Sequence, residues 1–403
     1  MTSIRLGVAA TPAVRNRWQA LGFAENPFPA SGVSGHVFYK AHLTEPIEQI
    51  EQWLSAAVDL KTSSWEPLAV SGSIGAGKSH LLHEMERTLR SQPPDPTHGV
   101  ILTSMLQTAG AGMKTLLLSE LLASGLASAT TPAGRGSSTP IDDLVVRIVE
   151  RCQADSNVEK RVAEDASYVR NPLTRITQAN GAERARLIQK FSLWLLQREI
   201  TRKEAEELGV RPKLPEEGAA VRALAHFCRA AHLAGVLRTW VVCLDQLEDL
   251  WRPNVTTELR RARFLTDLRS LVDEGFAGAP IALALAWNVE PDLNPETKLK
   301  QQYVALFSRI RKLAKLNGLN PKQLVPFAKE YVDEARKRFA AEHPAQTPTA
   351  EYAAAKFMSV LERDRSNIET RLLPEDRQGV LTMPRGWLAA LRDWADEYAK
   401  HPT

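Results

Sequence analysis

WEPLAVSGSIGAGKSHLLHEMERTLRS, residues 65–91, decides the fold. A short apolar run breaks into a glycine-rich turn and then into SHLLHEMERTLRS, so the order is strand, loop, helix. Gly72, Ser73, Ile74, Gly75, Ala76, Gly77, Lys78 and Ser79 meet the pattern G-x-x-x-x-G-K-[ST] at every required position. Glycines let consecutive backbone N–H groups turn inward on a polyanion, where a Cβ would collide or the dihedrals would be forbidden. The helix starting near Lys78 directs its positive end at the same place. Lys78 is long enough to reach the β- and γ-phosphates of a nucleotide, and the Ser79 hydroxyl suits a magnesium ion. His80, the next residue, closes the set of nucleotide-contacting candidates. A chance glycine turn would lack the strand before it and the helix after it, and both are present here.

Such a loop needs an acidic residue at the end of a neighbouring buried strand to hold the metal shell. TWVVCLDQLEDL, residues 239–250, supplies one: an apolar run and then Asp245. A carboxylate leaving a buried strand is costly unless it faces a cation or a donor network. The position directly after it holds Gln246, whose amide orients a water but accepts no proton, so Glu248 is the candidate general base with Asp249 behind it.

Working outward, GVILTSM (99–105) and APIALALAW (279–287) read as further buried strands. ELRRARFLTDLRSLVDEG (258–275) reads as a helix between two of them, with Phe264, Leu265, Leu268, Leu271 and Val272 on one face. This alternation predicts an α/β fold: a parallel sheet flanked by helices. From 105 to 235 no strand is evident. Helical patterns run through MKTLLLSELLA, IDDLVVRIVERCQ, ERARLIQKFSLWLLQREITRKEAEEL and GAAVRALAHFCRAAHLAG, and SATTPAGRGSSTP reads as a mobile loop. The expected organisation is therefore an N-terminal segment (1–60), a core (61–325) carrying a helical insertion (105–235), and a C-terminal helical lid (326–403).

The totals fit a soluble globular chain, with 44% hydrophobic and 24% charged residues. No apolar run approaches the roughly 20 residues that cross a bilayer, and no signal peptide is evident, so the reading is cytoplasmic with no membrane partner. Three scattered cysteines exclude a metal cage or disulfide framework, and Cys243 reads as a core residue. A net charge of +4 permits contact with nucleic acid without arguing for it.

These motifs together resemble the AAA+ and STAND ATPases, over roughly residues 20–400. The resemblance implies ATP and magnesium as cofactors, ATP hydrolysis, a homo-oligomer, and remodelling of DNA or a partner protein. The strand PIALALAWN ends in Asn288, similar to the sensor-1 residue that reads the γ-phosphate; simple strand termination is the alternative. LFSRIR, placed in an expected helix over 301–316, resembles the element that supplies an arginine finger, with Arg309 matching best and Arg311 second. TMPRGWLAAL resembles the sensor-2 helix with Arg385 in the matching place, against a plain first-turn arginine. LGFAENPF (21–28) resembles the adenine-side segment. DQLEDL is closer to the strand end of some STAND proteins than to the usual acidic pair, and no winged-helix pattern follows the lid. Transposon-associated and anti-phage ATPases of bacteria are compatible with both departures. A nucleotide-gated scaffold with little hydrolysis and a DNA-recruited loader or transposition regulator are the rival readings. The segment from Lys298 to Lys322 is basic with no acidic residue, and reads as a finger, a nucleic-acid face or a solvated surface. Arg260, Arg261 and Arg263 form a smaller basic cluster.

Overall fold

The computed structural model of the chain describes residues 17–29, 44–59, 66–91, 99–105, 140–195, 200–212, 218–252, 254–290, 293–310, 312–344, 347–372 and 383–400. In chain order the elements are α1 (Thr44–Asp59), β1 (Leu68–Gly72), α2 (Lys78–Ser91), β2 (Gly99–Met105), α3 (Pro140–Ala154), α4 (Ser156–Asp165), α5 (Ser167–Gln178), α6 (Gly181–Leu195), α7 (Arg202–Leu208) and α8 (Ala219–Leu233). They continue with β3 (Leu237–Leu244), a 3₁₀ turn (Leu247–Trp251), α9 (Glu258–Phe276), β4 (Ile281–Asn288), α10 (Pro295–Gln302), α11 (Val304–Phe307) and β5 (Lys312–Leu316). The last four helices are α12 (Leu324–Glu342), α13 (Thr347–Arg363), α14 (Arg365–Thr370) and α15 (Pro384–Tyr398).

The fold is α/β, with strand order β2-β3-β4-β1-β5 and parallel pairing of β2 with β3, β3 with β4 and β4 with β1. Strands β1, β3 and β4 are buried along almost their whole length. That is why they read as continuous apolar runs rather than alternating ones. Register places Gly72 opposite Asn288, and Leu244 opposite Leu285.

The described residues fall into two compact units. The larger takes those of 45–72 and 82–315 and holds most of the sheet with α3 to α11. Its core joins α3, α5, α6 and α8 to the sheet through Phe191, Phe227, Trp240 and Trp287, all buried. Local chemistry punctuates the helices. Thr201 and Glu204 form a capping box at the start of α7, and Gly209 ends it in the left-handed region. Thr257 caps α9 by accepting from the Arg260 N–H. The second unit takes 17–29, 73–81 and the described residues from Leu316 onward. Phe357 is its centre, with ring centroids 5.4 Å from Phe23, 5.1 Å from Trp394 and 5.4 Å from Tyr398. Each such edge-on pair adds about 0.5–1.5 kcal/mol beyond burial. Asn26 ties the 21–28 segment to α15 by donating to the Arg392 carbonyl and the Asp396 carboxylate.

Two expectations need correction. The helix expected over 301–316 ends at Phe307, and 312–316 is strand β5, with Lys315 exposed between buried Ala314 and Leu316. KLAKL fits both periods, and a place at the end of the strand order selects the extended one. The long pattern 183–208 divides into α6 and α7, because Thr201 offers a cap that a continuous helix would waste. Helices α4 and α5 add to the helical patterns of the sequence; α5 holds Pro172 in its interior, where a proline normally ends a helix. MKTLLLSELLA, Arg311 and all of SATTPAGRGSSTP except its last residue, Pro140, lie outside the described residues. No helix among the described residues is long and apolar enough to cross a membrane. All three cysteines are buried, and burial pushes the Cys152 thiol up to about 11.

Candidate functional site

Two groups of residues carry the candidate chemistry. The first is the glycine-rich turn between β1 and α2. Gly75 and Gly77 have φ of +81° and +95°, in the region that favours glycine. The Ala76 N–H donates to the Ser73 carbonyl at 3.2 Å, and the Leu81 N–H to the Gly77 carbonyl at 2.8 Å. Lys78 is only 6% exposed and folds back so that Nζ donates to the Ser73 carbonyl at 2.8 Å. Its charge therefore lies over the turn, beside the N-terminus of a fourteen-residue helix that carries Ser79 and His80 in its first turn. N–H groups, a dipole end and an ammonium combined in this way suit a polyanion such as a nucleotide phosphate chain.

Arg385 belongs to this group. It is the second residue of α15, its backbone N–H donates to the Gly75 carbonyl at 3.4 Å, and its side chain is exposed. A Cβ on Gly75 would come within 2.9 Å of the Arg385 Cβ, whereas one on Gly77 would meet nothing within 4 Å. Gly75→Ala is accordingly expected to destabilise the protein by about 1–3 kcal/mol more than Gly77→Ala, the usual cost of overpacking. Both variants carry similar dihedral strain, so urea unfolding of the pair isolates the contact. Equal losses would mean that α15 does not rest on the turn.

The second group lies at the carboxyl ends of β3 and β4. Asp245 follows β3, is 2% exposed, and its Oδ1 accepts from the Gln246 N–H at 2.8 Å. Gln246 has φ +58°, the one non-glycine residue with positive φ among those described. That conformation costs about 1–2 kcal/mol. It reverses the chain into the 3₁₀ turn and brings Glu248, 1% exposed, to the end of β4. There the Asn288 backbone N–H donates to Glu248 Oε2 at 3.0 Å, and the Asn288 side-chain amide donates to Oε1. Asn288 also registers with Gly72, and the next residue, Val289, donates to the Gly72 carbonyl at 3.1 Å. Since β4 lies between β1 and β3, Asn288 stands between the residue that opens the glycine-rich turn and the strand that ends before Asp245.

Asp249 continues the carboxylate row. Burial pushes its carboxyl above the ordinary range, Arg252 at 3.3 Å partly offsets this, and Asp245 and Glu290 add to the rise. Arg252 also reaches Glu290 at 3.3 Å. The Asn288–Glu248 pair and the Arg252 bridge were not legible in the sequence, where the partners lie about forty residues apart. The carboxylate density of DQLEDL followed by Arg252 was the available hint.

Arg309 sits in the turn after α11, where Nε donates to Asp273 Oδ1 at 2.5 Å and Nη1 donates to the Ala305 carbonyl. The basic segment is partly neutralised from outside: Lys300 pairs with Glu296 at 2.7 Å and lies 5.1 Å from the Phe307 ring centroid. Arg260 and Arg263 are exposed and Arg261 is half-buried on α9. Among the described residues no group of three or more His, Cys, Asp or Glu is placed to hold a metal ion. A magnesium ion brought with a nucleotide would not require one, because it keeps waters and phosphate oxygens and takes one or two protein oxygens. Ser79 and Asp245 have the chemistry for that role. No protein-family model matches the chain, and no curated protein is significantly similar to it.

Proposed function

We propose that the chain is an ATP-binding, ATP-hydrolysing protein of the AAA+/STAND type, which couples nucleotide state to assembly and to work on DNA or a partner protein. The observation that carries the reading is Asn288. Three segments far apart in sequence converge through it: the start of the glycine-rich turn, the end of the central strand, and the buried carboxylate Glu248. A carboxylate buried this deeply is costly without donors, and Asn288, the residue in register with Gly72, supplies two of them. In this reading Lys78 and the turn's N–H groups would hold the phosphates, and Ser79 and Asp245 are the candidate magnesium ligands. Glu248 takes a proton from the attacking water, and Arg385 and a neighbour's Arg309 meet the γ-phosphate. Magnesium supplies charge neutralisation at the transferring phosphoryl group.

A nucleotide-gated scaffold is the second reading. It is favoured by Gln246 and by Glu248 having both oxygens engaged by Asn288. The deciding experiment measures ATP turnover per subunit against protein concentration, with light scattering in parallel and with and without DNA. The ATPase reading expects turnover that rises as particles grow. Tight ATP binding with negligible turnover at every concentration would select the scaffold, and DNA stimulation would identify DNA as the object of the work.

A further inference from the structure

We infer that Asp273 is a positioning residue for Arg309, holding the guanidinium ready for an anion on a second copy of this chain; this rests on the ATPase reading above. Asp273 lies in the last turn of α9, where a carboxylate opposes the helix dipole and gains nothing from its own helix. Cations offset that cost. Oδ1 accepts from Arg309 Nε at 2.5 Å, and Oδ2 lies 3.6 Å from Arg269 Nε. The carboxylate is thus gripped on one oxygen by an arginine of its own helix and presents the other to Arg309. A second anchor, the Ala305 carbonyl, takes Nη1.

The consequence follows from the guanidinium's donor set. Arginine has five N–H donors in a rigid plane. Two are committed within the chain, through Nε and Nη1, which fixes the plane. Nη2 has no hydrogen-bond partner among the described residues, and 27% of the side chain is exposed. An arginine immobilised on one edge, with donors remaining on another, has lost its rotamer freedom before any encounter. Binding an anion then costs less entropy than it would for a free arginine. A merely solvated arginine needs neither anchor, and one locked for stability would be expected to spend its donors inside the chain. Exposed ion pairs contribute little to stability, so the contact is better explained by orientation than by folding.

The test compares ATP turnover across protein concentration for the wild type, Asp273→Ala, Asp273→Asn, Arg309→Ala, the Asp273→Ala/Arg309→Ala double variant, and Arg269→Ala. Thermal unfolding of each variant runs alongside. Asp273→Ala is expected to lower kcat about three- to tenfold, the effect of losing one charge-assisted hydrogen bond to a partly exposed group, with KM unchanged. Asp273→Asn, which keeps an acceptor for Nε, should recover part of that loss. The double variant should be no slower than Arg309→Ala alone, because the two residues act as one unit. Multiplying losses, or an Asp273→Ala variant with normal or raised kcat while Arg309→Ala is slow, would overturn the inference and leave the ATPase reading standing. An Arg309→Ala variant as fast as wild type would overturn this inference and the role of Arg309 together. Absence of turnover in the wild type would remove the ATPase reading itself, and the inference with it.

Discussion

Lys78→Ala is expected to lower ATP turnover by about 100- to 1,000-fold, the usual effect of removing one preorganised donor from a developing phosphoryl charge. The side chain is almost fully buried and already bent over the turn, with Nζ on the Ser73 carbonyl. Its position is therefore set before any ligand arrives, and an ammonium held beside a helix N-terminus is repelled by the dipole unless an anion joins it. The loss should appear in nucleotide affinity as well as in kcat, since a charge-assisted contact to phosphate contributes to ground state and transition state alike. Fluorescent-nucleotide titration together with steady-state turnover separates the two. Lys78→Ala also removes a bond to Ser73, so circular dichroism must show that the fold survives. A folded variant that binds and hydrolyses ATP normally would end the assignment of this turn to phosphates.

Glu248→Gln should leave nucleotide binding and melting temperature close to wild type while lowering turnover by about 100- to 10,000-fold, the range spanned by general-base contributions. The side-chain geometry makes this substitution informative. A glutamine keeps one acceptor for the Asn288 backbone N–H, and its own amide can donate to the Asn288 side-chain oxygen once that amide rotates about its last bond. The network is preserved and only the proton-accepting oxygen is lost. Glu248→Ala is a poorer test, because it would strand the half-buried Asn288 amide at a cost of up to about 1–3 kcal/mol and mix stability with chemistry. Unchanged turnover in Glu248→Gln would move the base elsewhere. Asp249 is then the next residue to vary, since it continues the carboxylate row and burial raises its proton affinity above that of an ordinary aspartate. Pairing Glu248→Gln with Asn288→Ala distinguishes a base that must be released from one that must be held. If Asn288 restrains Glu248, Asn288→Ala alone raises turnover; if Asn288 orients it, the variant is slow.

Local sequence was enough for part of this protein and silent on the rest, for identifiable reasons. Strands β1, β3 and β4 were legible because burial on both faces of a parallel sheet demands unbroken apolar runs, and PLAV, TWVVCL and IALALAW have no other plausible home. The glycine-rich turn was legible because positive φ at Gly75 and Gly77 is a local demand that the residue types themselves record. Asp245 was legible because a carboxylate at the end of such a run is costly without a partner. Strand β5 was not, since KLAKL is compatible with helix and strand, and its place in the sheet selects the extended form. Helices α4 and α5 were not, because their polar surfaces and Pro172 obscure a period that tertiary packing sustains. The contacts on which the proposed chemistry rests were the least accessible of all. Asn288 on Glu248, Arg385 on Gly75 and Asp273 on Arg309 each join residues from separate elements. Sequence by itself determined which residue types were present and what local shapes they require; only the tertiary structure decided which side chains meet, because side-chain hydrogen bonds act over about 3 Å in space whatever their separation along the chain.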